Sequence, residues 1–486
     1  MGRIITCAVI VLVAANGLAV AQDTSTLTLA QAVREALEHN NILVNQRDSI
    51  TQADLNVRLA RNTFRPRVTP NVFGSFGATD VASQTYRVDV SQKLVTGTEF
   101  RLSTGTTSAL IPSTSSGSAQ DLLFYSADTT LTLTQPLLRG FGRTVTRRSL
   151  ASAELTRQTA DRERTLAEQQ ITIDVAAGYY RLVSQQNLVD VAGQSLLRAR
   201  RLRDAAEAKL TAGLVSQLDV LRSQQLVSEA ETQLFDAQSG VEDARDRLAF
   251  LIGRPTTQSL QVAVDIPRVE WEPADATRAT AIALGNRLDL TNQMALRADA
   301  DSRVRVSRNM LLPQVDINLA MTRRETARSF GGSFALDGYR FVTFFTIAMP
   351  VDRTAQQVEF QSALLDRERR QRDTATLERQ IGDDVRVAVR EQGRLARAVI
   401  ASATSVEIGR KEVEVAELRY QNGLSNNLDV VTAEGALLAA EARRIQSLAD
   451  AAVGRLRFRA LLGILNPRTD LQGATSALPM VAELNP

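Results

Sequence analysis

The chain has 486 residues and a formal net charge of +3 at pH 7, with 57 basic and 54 acidic side chains. It contains no Lys/Arg block interleaved with aromatic residues, which argues against nucleic acid as a partner. Its single histidine, His39, excludes an imidazole cluster for metal binding or general base catalysis. We therefore expect no enzymatic activity, no catalytic residues, no metal site and no cofactor.

The N-terminus has the three parts of a secretory signal peptide. Arg3 supplies the positive charge, residues 4–15 form the apolar segment, and Ala19–Ala21 is a small-residue cleavage site. The only cysteine, Cys7, lies inside this segment, so we expect no disulfide in the mature chain. No later stretch offers the about 18 apolar residues of a transmembrane helix. The sequence thus predicts an exported protein that is either soluble or enters a membrane as β-strands.

The chain contains an internal duplication. It matches itself at one constant offset in its first part and at a smaller constant offset further along, which places an insertion in the first copy. Matching pairs include Leu43 and Leu290, Ala53 and Ala300, Pro66 and Pro313, Gly213 and Gly423, and Asp219 and Asp429. Two long copies predict a duplicated unit rather than a solenoid. Each copy reads as a short helix, a β-rich stretch, a very long helix, a glycine turn and a return helix.

The β-rich stretches are recognised by a residue spacing of two. In the second copy Val315 and Leu319 belong to an apolar row that alternates with polar residues, and in the first copy Leu131 and Leu133 alternate with threonines. Segments of about ten residues with one apolar face match tilted membrane-spanning strands. The insertion in the first copy reads as an extra hairpin, residues 86–106, which either stands outside the membrane or extends the sheet.

The extra hairpin aside, each copy supplies two strands, and four strands cannot close a barrel. Open sheet edges are not tolerated in lipid. The strands must therefore be shared between chains, and three chains would supply twelve, which lies within the range of bacterial barrels.

The helical stretches are unusually long. No proline occurs between Val145 and Ala212, and Val175 and Leu182 belong to a row of apolar residues at seven-residue steps, a spacing that favours coiled-coil packing. This helix would be about 100 Å long. The return helix stops at Gly253. Periodicity alone is compatible with a closed ring of helices and with a plain coiled-coil rod, so a secreted protein that tethers or spaces the cell envelope is the alternative function.

The predicted fold class is mainly α with membrane β in a duplicated unit, and the motifs given next resemble those of a family in which such a unit forms a long antiparallel coiled-coil helical barrel and a trimer-shared 12-stranded β-barrel. The predicted divisions are a signal peptide (1–21), first-copy entry helices (22–66), first-copy strands with the extra hairpin (67–143), a first helical hairpin (144–253), a linker or equatorial segment (254–277), second-copy entry helices (278–313), second-copy strands (314–351), a second helical hairpin (352–465) and a C-terminal tail (466–486).

Several motifs, in order and in both copies, are similar to those of the TolC-type outer-membrane efflux protein family (outer membrane factors), and the likeness covers essentially the whole mature chain. These motifs are Leu27–Leu29 with Asn40-Asn41, Gln135–Gly140 with its counterpart Met349–Val351, and Ala212–Ser216 with Asp219-Val220 and Leu251–Pro255. The resemblance implies a homotrimer in the bacterial outer membrane that extends into the periplasm. It also implies a passive duct of a tripartite efflux or type I secretion system, with a periplasmic adaptor and an inner-membrane transporter as partners.

The resemblance also assigns roles to the turns between the helices. Six residues at these turns would form the adaptor-docking tips at the periplasmic end, namely Gly213, Leu214, Ser216, Gly423, Leu424 and Ser425. Glycine permits a positive φ and a close approach of the backbone. The alternative is that each glycine serves only to reverse the chain.

A periplasmic gate is expected next to these turns, formed by Asp219, Tyr420 and Asp429, with a hydrogen bond between Tyr420 and Asp219. Acidic residues in the first turn of a helix also have an ordinary explanation, because they interact favourably with the helix dipole. Ser425 and Thr432 depart from the family pattern, in which an arginine and an aspartate are expected. We therefore expect the closing contacts to be weaker or differently arranged.

Overall fold

A computed structural model describes residues 26–74, 83–111, 122–257, 260–263, 266, 275–330 and 338–468. The elements are α1 (Leu29–His39), α2 (Asn41–Asn62), β1 (Arg67–Gly74), β2 (Ser83–Lys93), β3 (Glu99–Ile111), β4 (Leu122–Pro136), α3 (Arg143–Thr146), α4 (Arg148–Thr211), α5 (Gln217–Ile252), α6 (Ala276–Asn286), α7 (Leu288–Met310), β5 (Gln314–Ala327), β6 (Arg340–Ala348), α8 (Thr354–Gln421) and α9 (Asn427–Leu461). The predicted signal peptide and most of the predicted tail lie outside the described residues.

Two very long helices, α4 with 64 residues and α8 with 68, form the framework of the molecule. Helix α4 packs against α2 and α5, and α8 packs in the same way against α7 and α9. The two copies meet where α4 contacts α9. Val175 and Leu182, from the predicted apolar row, are completely buried in α4. The mainly helical, duplicated plan is thus confirmed, and in each copy a long helix is followed by a shorter return helix.

The largest hydrophobic core lies midway along the helices, where α1 packs against α4 and α5. The backbone N–H of Leu27 donates to the carbonyl of Gln261 over 2.8 Å, and the Tyr179 hydroxyl donates to the Leu27 carbonyl over 3.2 Å. A bidentate pair between Arg254 and Glu35, at 2.6 and 2.7 Å, closes the same junction. Part of the predicted linker therefore packs at mid-length, while residues 258–259, 264–265 and 267–274 lie outside the described residues.

The six strands in the described part of the chain form one antiparallel sheet in the order β1-β2-β3-β4-β5-β6. The two strands predicted for each copy are β1 and β4 in the first and β5 and β6 in the second, and the extra hairpin forms β2 and β3 between β1 and β4, so that the described sheet has six strands rather than four. Of the two fates left open for this hairpin, it extends the sheet. The copies meet in the sheet where β4 pairs with β5 from Tyr125↔Ala327 to Pro136↔Asp316.

The polarity of the sheet is inverted relative to that of a water-soluble protein. On β5 the polar residues Asp316 and Asn318 are 7% and 8% exposed, whereas Leu319 is 43% exposed. Asn318 accepts from the Thr134 hydroxyl over 2.8 Å and donates to the Thr346 hydroxyl over 2.9 Å. Polar side chains on one face thus form hydrogen bonds with one another, whereas leucine, isoleucine and phenylalanine side chains are exposed on the opposite face.

Both edges of the sheet are open in the single chain. Every residue of β6 is exposed, and β1 has only one residue that is partly covered. Large apolar side chains occur on both edge strands, including Val72 at 71% exposure and Ile347 at 73%. Such an edge is a template for pairing with another chain. Among the described helices, none combines the length and the hydropathy required to cross a bilayer.

Candidate functional site

The two turns that join the long helices to their return helices have the same backbone conformation. Gly213 has φ 72° and Gly423 has φ 71°, and among the described residues no atom outside the adjoining residues lies within 4 Å of the position that a Cβ atom would take at either glycine. The N–H of Leu214 donates to the carbonyl of Lys209 over 2.9 Å, and Leu424 donates to Arg419 over 2.8 Å. A left-handed residue at this place terminates a helix and is usually glycine.

We call these turns, residues 213–216 and 423–426, the tips. Each presents one strongly exposed leucine, Leu214 at 74% and Leu424 at 76% exposure. Ser216 and Ser425 follow them on the way into α5 and α9. The structure therefore places all six predicted docking residues together at one end of the helices, with free space around both glycines.

The return helices start differently in the two copies. In the first copy the Ser216 side chain accepts from the backbone N–H of Asp219, and the Asp219 carboxylate accepts from the backbone N–H of Ser216 at 3.1 Å and from its hydroxyl at 2.7 Å. This reciprocal arrangement is a capping box. In the second copy, Asn426 makes no side-chain cap hydrogen bond to α9.

Directly beside the tips, two side chains make hydrogen bonds that cross between the copies of one chain. The Lys209 ammonium donates to the backbone carbonyl of Tyr420 over 2.6 Å and lies 4.0 Å from the centroid of its ring. The Asn427 side chain, which is completely buried, donates to the backbone carbonyl of Asp219 over 2.7 Å. A cation over an aromatic face contributes about 0.5–2 kcal/mol, and a hydrogen bond from a charged group about 1.5–3 kcal/mol.

The predicted hydrogen bond between Tyr420 and Asp219 is absent, and this prediction was wrong for the single chain. The Asp219 carboxylate is engaged in the capping box, and the Tyr420 hydroxyl is buried with no hydrogen-bond partner among the described residues. The two groups are nevertheless close enough to interact electrostatically. Burial raises the pKa of Tyr420, and the negative charge of Asp219 raises it further. Asp429 lies exposed in the first turn of α9.

A second connection between the copies lies further along the helices. Arg198 of α4 donates through Nε to both carboxylate oxygens of Glu434 of α9, at 2.7 and 2.8 Å, and Glu434 is only 3% exposed. Burial raises the pKa of Glu434, while the hydrogen bond and charge of Arg198 oppose that shift. Arg410 and Glu441 form a further pair, at 3.0 Å, between α8 and α9.

Sequence reasoning did not identify Lys209, Asn427, Arg198 or Glu434. A signal was present in the duplication, because these contacts join positions at which the two copies differ. Tyr420, for example, occupies the place that Leu210 holds in the first copy. Positions where duplicated segments diverge are natural candidates for contacts between the copies.

Among the described residues, no group of three or more His, Cys, Asp and Glu side chains is arranged to hold a metal ion. The sequence profile of the outer membrane efflux protein family matches residues 32–254 and 280–464. The chain belongs to this family. The two matched segments correspond to the two copies of the duplicated unit, and membership places the protein in the outer membrane, with its helices extending into the periplasm.

Relatives of known structure share the fold. The outer-membrane channel OprN is 18% identical with a TM-score of 0.68, over 90% of this chain and 89% of that chain. The outer membrane protein VceC from Vibrio cholerae is 16% identical with a TM-score of 0.67, over 90% and 96% of the two chains. The open-state channel MtrE from Neisseria gonorrhoeae is 19% identical with a TM-score of 0.65, over 91% and 90%.

A curated relative is similar over a shorter stretch. The fusaric acid resistance protein FusA from Burkholderia cepacia is 29% identical over 185 residues, which are 37% of this chain and 33% of that protein. The match thus spans about a third of the length of this relative.

Proposed function

We propose that this protein is the outer-membrane channel of a tripartite export system and acts as a passive duct. The observation that carries the proposal is the inverted sheet: its apolar face is exposed, its polar face is hydrogen-bonded, and both of its edges are open. In water the exposed face would be a liability for aggregation, and in lipid the open edges would leave backbone groups unsatisfied. Pairing β6 of one chain with β1 of the next removes the edges.

A closed ring of three chains is the assembly that we propose. Each chain supplies a row of long helices beneath its part of the sheet, and a ring of such rows encloses a continuous lumen below the pore. The alternative function, a tethering rod, does not account for a sheet whose outer face is apolar. Family membership also argues against the rod.

The tips are the proposed docking site for a periplasmic adaptor, which would connect the duct to an energised inner-membrane transporter. The geometry of the tips supports docking there, because each tip has an exposed leucine next to a glycine with free space around it. The cross-copy contacts of Lys209 and Asn427 support a gate at the same end, with Asp219, Tyr420 and Asp429 nearby. Opening such a gate requires the two helical hairpins of one chain to separate.

The test combines assembly with transport. Purified protein from the outer-membrane fraction is expected to be a trimer that conducts ions in planar bilayers. The double variant Gly213→Asp plus Gly423→Asp should abolish export of cargo while the trimer persists, because aspartate tolerates a positive φ better than most residues. Gly393→Asp, at another open glycine far from the tips on α8, is the control and should export normally. Unchanged export by the double variant would refute docking at the tips, and a soluble monomer would refute the channel.

A further inference from the structure

The hairpin formed by β2 and β3 is the largest departure of the first copy from the second. It is fully integrated into the sheet, since β2 pairs with β1 from Gly74↔Gln84 to Arg67↔Ser91. On its other side, β3 pairs with β4 from Glu99↔Thr134 to Ile111↔Leu122. Neither strand is an appendage, and removing both would join β1 to β4 as β5 is joined to β6.

The faces of the hairpin continue the faces of the sheet. Paired residues of an antiparallel sheet share a face, and Val88 and Val90 lie opposite Pro70 and Val68 of β1. On the other side of the hairpin, Phe100 and Leu102 of β3 lie opposite Leu133 and Leu131 of β4. The exposed apolar surface thus runs without interruption from β1 to β6. At its outer end this surface is limited on β5 by Arg323 and Glu325, which follow Met321.

The opposite face of the hairpin carries polar residues, which form hydrogen bonds and an ion pair with polar residues on the same face of neighbouring strands. Asn71 of β1 donates to the Asp89 carboxylate over 2.8 Å, and Thr85 and Thr107 are joined by a hydrogen bond of 2.9 Å. Arg87 lies 3.5 Å from Asp128 of β4. These contacts span four strands and give the hairpin the same inner and outer sides as the rest of the sheet.

The turn of the hairpin is anchored at the helical end. Gly97 has φ 101°, and a Cβ atom there would lie 2.7 Å from the carbonyl oxygen of Gly140, in the segment between β4 and α3. The N–H of Gly142 donates to the carbonyl of Thr96 over 3.1 Å. In the second copy α8 begins shortly after β6 and no short helix intervenes. The segment around α3 therefore supports two strands that have no long helices of their own beneath them.

We infer that this hairpin is part of the membrane wall, so that the outer-membrane pore has eighteen strands, six from each of three chains. The inference rests on the proposed trimer and identifies lipid hydrocarbon as the partner of the apolar face. With strands about 4.8 Å apart and tilted by about 40°, the backbone diameter is about 36 Å for eighteen strands and about 24 Å for twelve. The exit is therefore wider than the twelve-stranded prediction implied.

Cysteine labelling of the full-length protein in native membranes tests the placement of the hairpin. The only native cysteine, Cys7, lies within the predicted signal peptide. Val88→Cys places a thiol on the apolar face of the hairpin, Ser103→Cys places one on its polar face, and Leu319→Cys marks the apolar face outside the hairpin. A water-soluble maleimide should label Val88→Cys about tenfold more slowly than Ser103→Cys, and as slowly as Leu319→Cys, because the thiolate that reacts is disfavoured in lipid. Equal labelling of Val88→Cys and Ser103→Cys, with Leu319→Cys protected, would overturn the inference alone.

Electron cryomicroscopy of the purified protein tests the width. Eighteen strands in a barrel with a backbone diameter of about 36 Å confirm the inference, whereas twelve strands in a barrel of about 24 Å, with the hairpin outside, overturn it and leave the channel intact. A variant in which residues 83–111 are deleted should narrow the pore to twelve strands if it assembles. If that variant does not fold, the image of the unmodified protein decides. A chain that is monomeric in membranes, with Leu319→Cys freely labelled, would overturn both the inference and the proposed function.

Discussion

Gly463 lies against the backbone of Asn286 so closely that a Cβ atom at Gly463 would be 2.7 Å from the carbonyl carbon of Asn286. The first copy repeats this relationship between Gly253 and His39, where the shortest distance would be 3.1 Å, to the His39 Cβ atom. Both glycines have a positive φ, 75° and 80°, at the end of a return helix. The duplicated unit therefore closes on itself at the same place in each copy, where the return helix meets the first entry helix.

Gly463→Ala should destabilise the protein more than Gly253→Ala. A left-handed alanine costs about 1–2 kcal/mol in either place. At Gly463 the backbone of Asn286 must also move out of contacts of 2.7 and 2.8 Å, which adds about 1–3 kcal/mol, whereas at Gly253 the nearest contacts of 3.1 and 3.3 Å require a smaller shift. Thermal unfolding followed by circular dichroism would rank the variants. Gly435→Ala is the control, because Gly435 is helical with open space at its Cβ position and alanine favours helix. Equal losses for the two junction variants would contradict the argument.

Ser216→Ala should loosen the first turn of α5, because it removes the side-chain half of the capping box: the N–H of Asp219 keeps only the Ser216 carbonyl as acceptor, and the Asp219 carboxylate loses the Ser216 hydroxyl. The expected cost is about 0.5–2 kcal/mol, confined to the tip. Amide hydrogen exchange at residues 217–220 is the measurement. Asn426→Ala is the matched control, since the Asn426 side chain makes no cap hydrogen bond to α9. Faster exchange after Asn426→Ala than after Ser216→Ala would refute this account of the caps.

Lys209→Met should weaken the closed state of the proposed gate. It removes both the hydrogen bond to the Tyr420 carbonyl and the cation over the Tyr420 ring, together worth about 2–5 kcal/mol. The fraction of open channels in planar bilayers should therefore rise at least about tenfold, since 1.4 kcal/mol corresponds to a factor of ten. Arg419→Met is the control, because Arg419 holds the equivalent place in the second copy and is exposed. If both variants conduct like the unmodified channel, Lys209 does not hold the tips together.

Glu434 should make the stability of the helices depend on pH. Its pKa is raised in the folded chain, above all by burial and to a smaller extent by Glu417 and Glu441, against the opposing effect of Arg198. Between the ordinary and the raised pKa the folded chain binds more protons than the unfolded chain. The contribution of Glu434 is therefore fullest below its ordinary pKa and declines as the pH rises through the raised pKa.

Glu434→Gln should consequently show a smaller change of melting temperature than the unmodified protein when the pH is raised from about 4 to about 7. Glu231→Gln serves as the control, because the Glu231–Arg200 pair is half exposed and such pairs contribute about 0–1 kcal/mol. An unchanged pH profile for Glu434→Gln would show that the buried pair does not titrate with folding.

Much of the architecture was determined by local sequence patterns. Apolar rows such as Val175 and Leu182 predicted α4, and a period of two predicted β5, because the backbone geometry of each element imposes its own spacing on the side chains. Gly213 and Gly423 predicted the tips, since few other residues adopt a positive φ. The constant offsets between the copies predicted that the same plan would occur twice. None of these features requires knowledge of distant contacts.

The tertiary structure decided what depends on partners far apart in the chain. The alternation of residues 83–111 did not show whether this hairpin lies within the sheet or outside it. A hairpin has the same alternation in both arrangements, and which strands it pairs with depends on residues far away in the sequence. Asp219 likewise had two partners available, and the adjacent Ser216 engaged its carboxylate ahead of the distant Tyr420. Lys209 and Glu434 became visible as cross-copy contacts only when α4, α8 and α9 were placed side by side. Local geometry specifies elements, and the competition among distant contacts specifies which of their side chains meet.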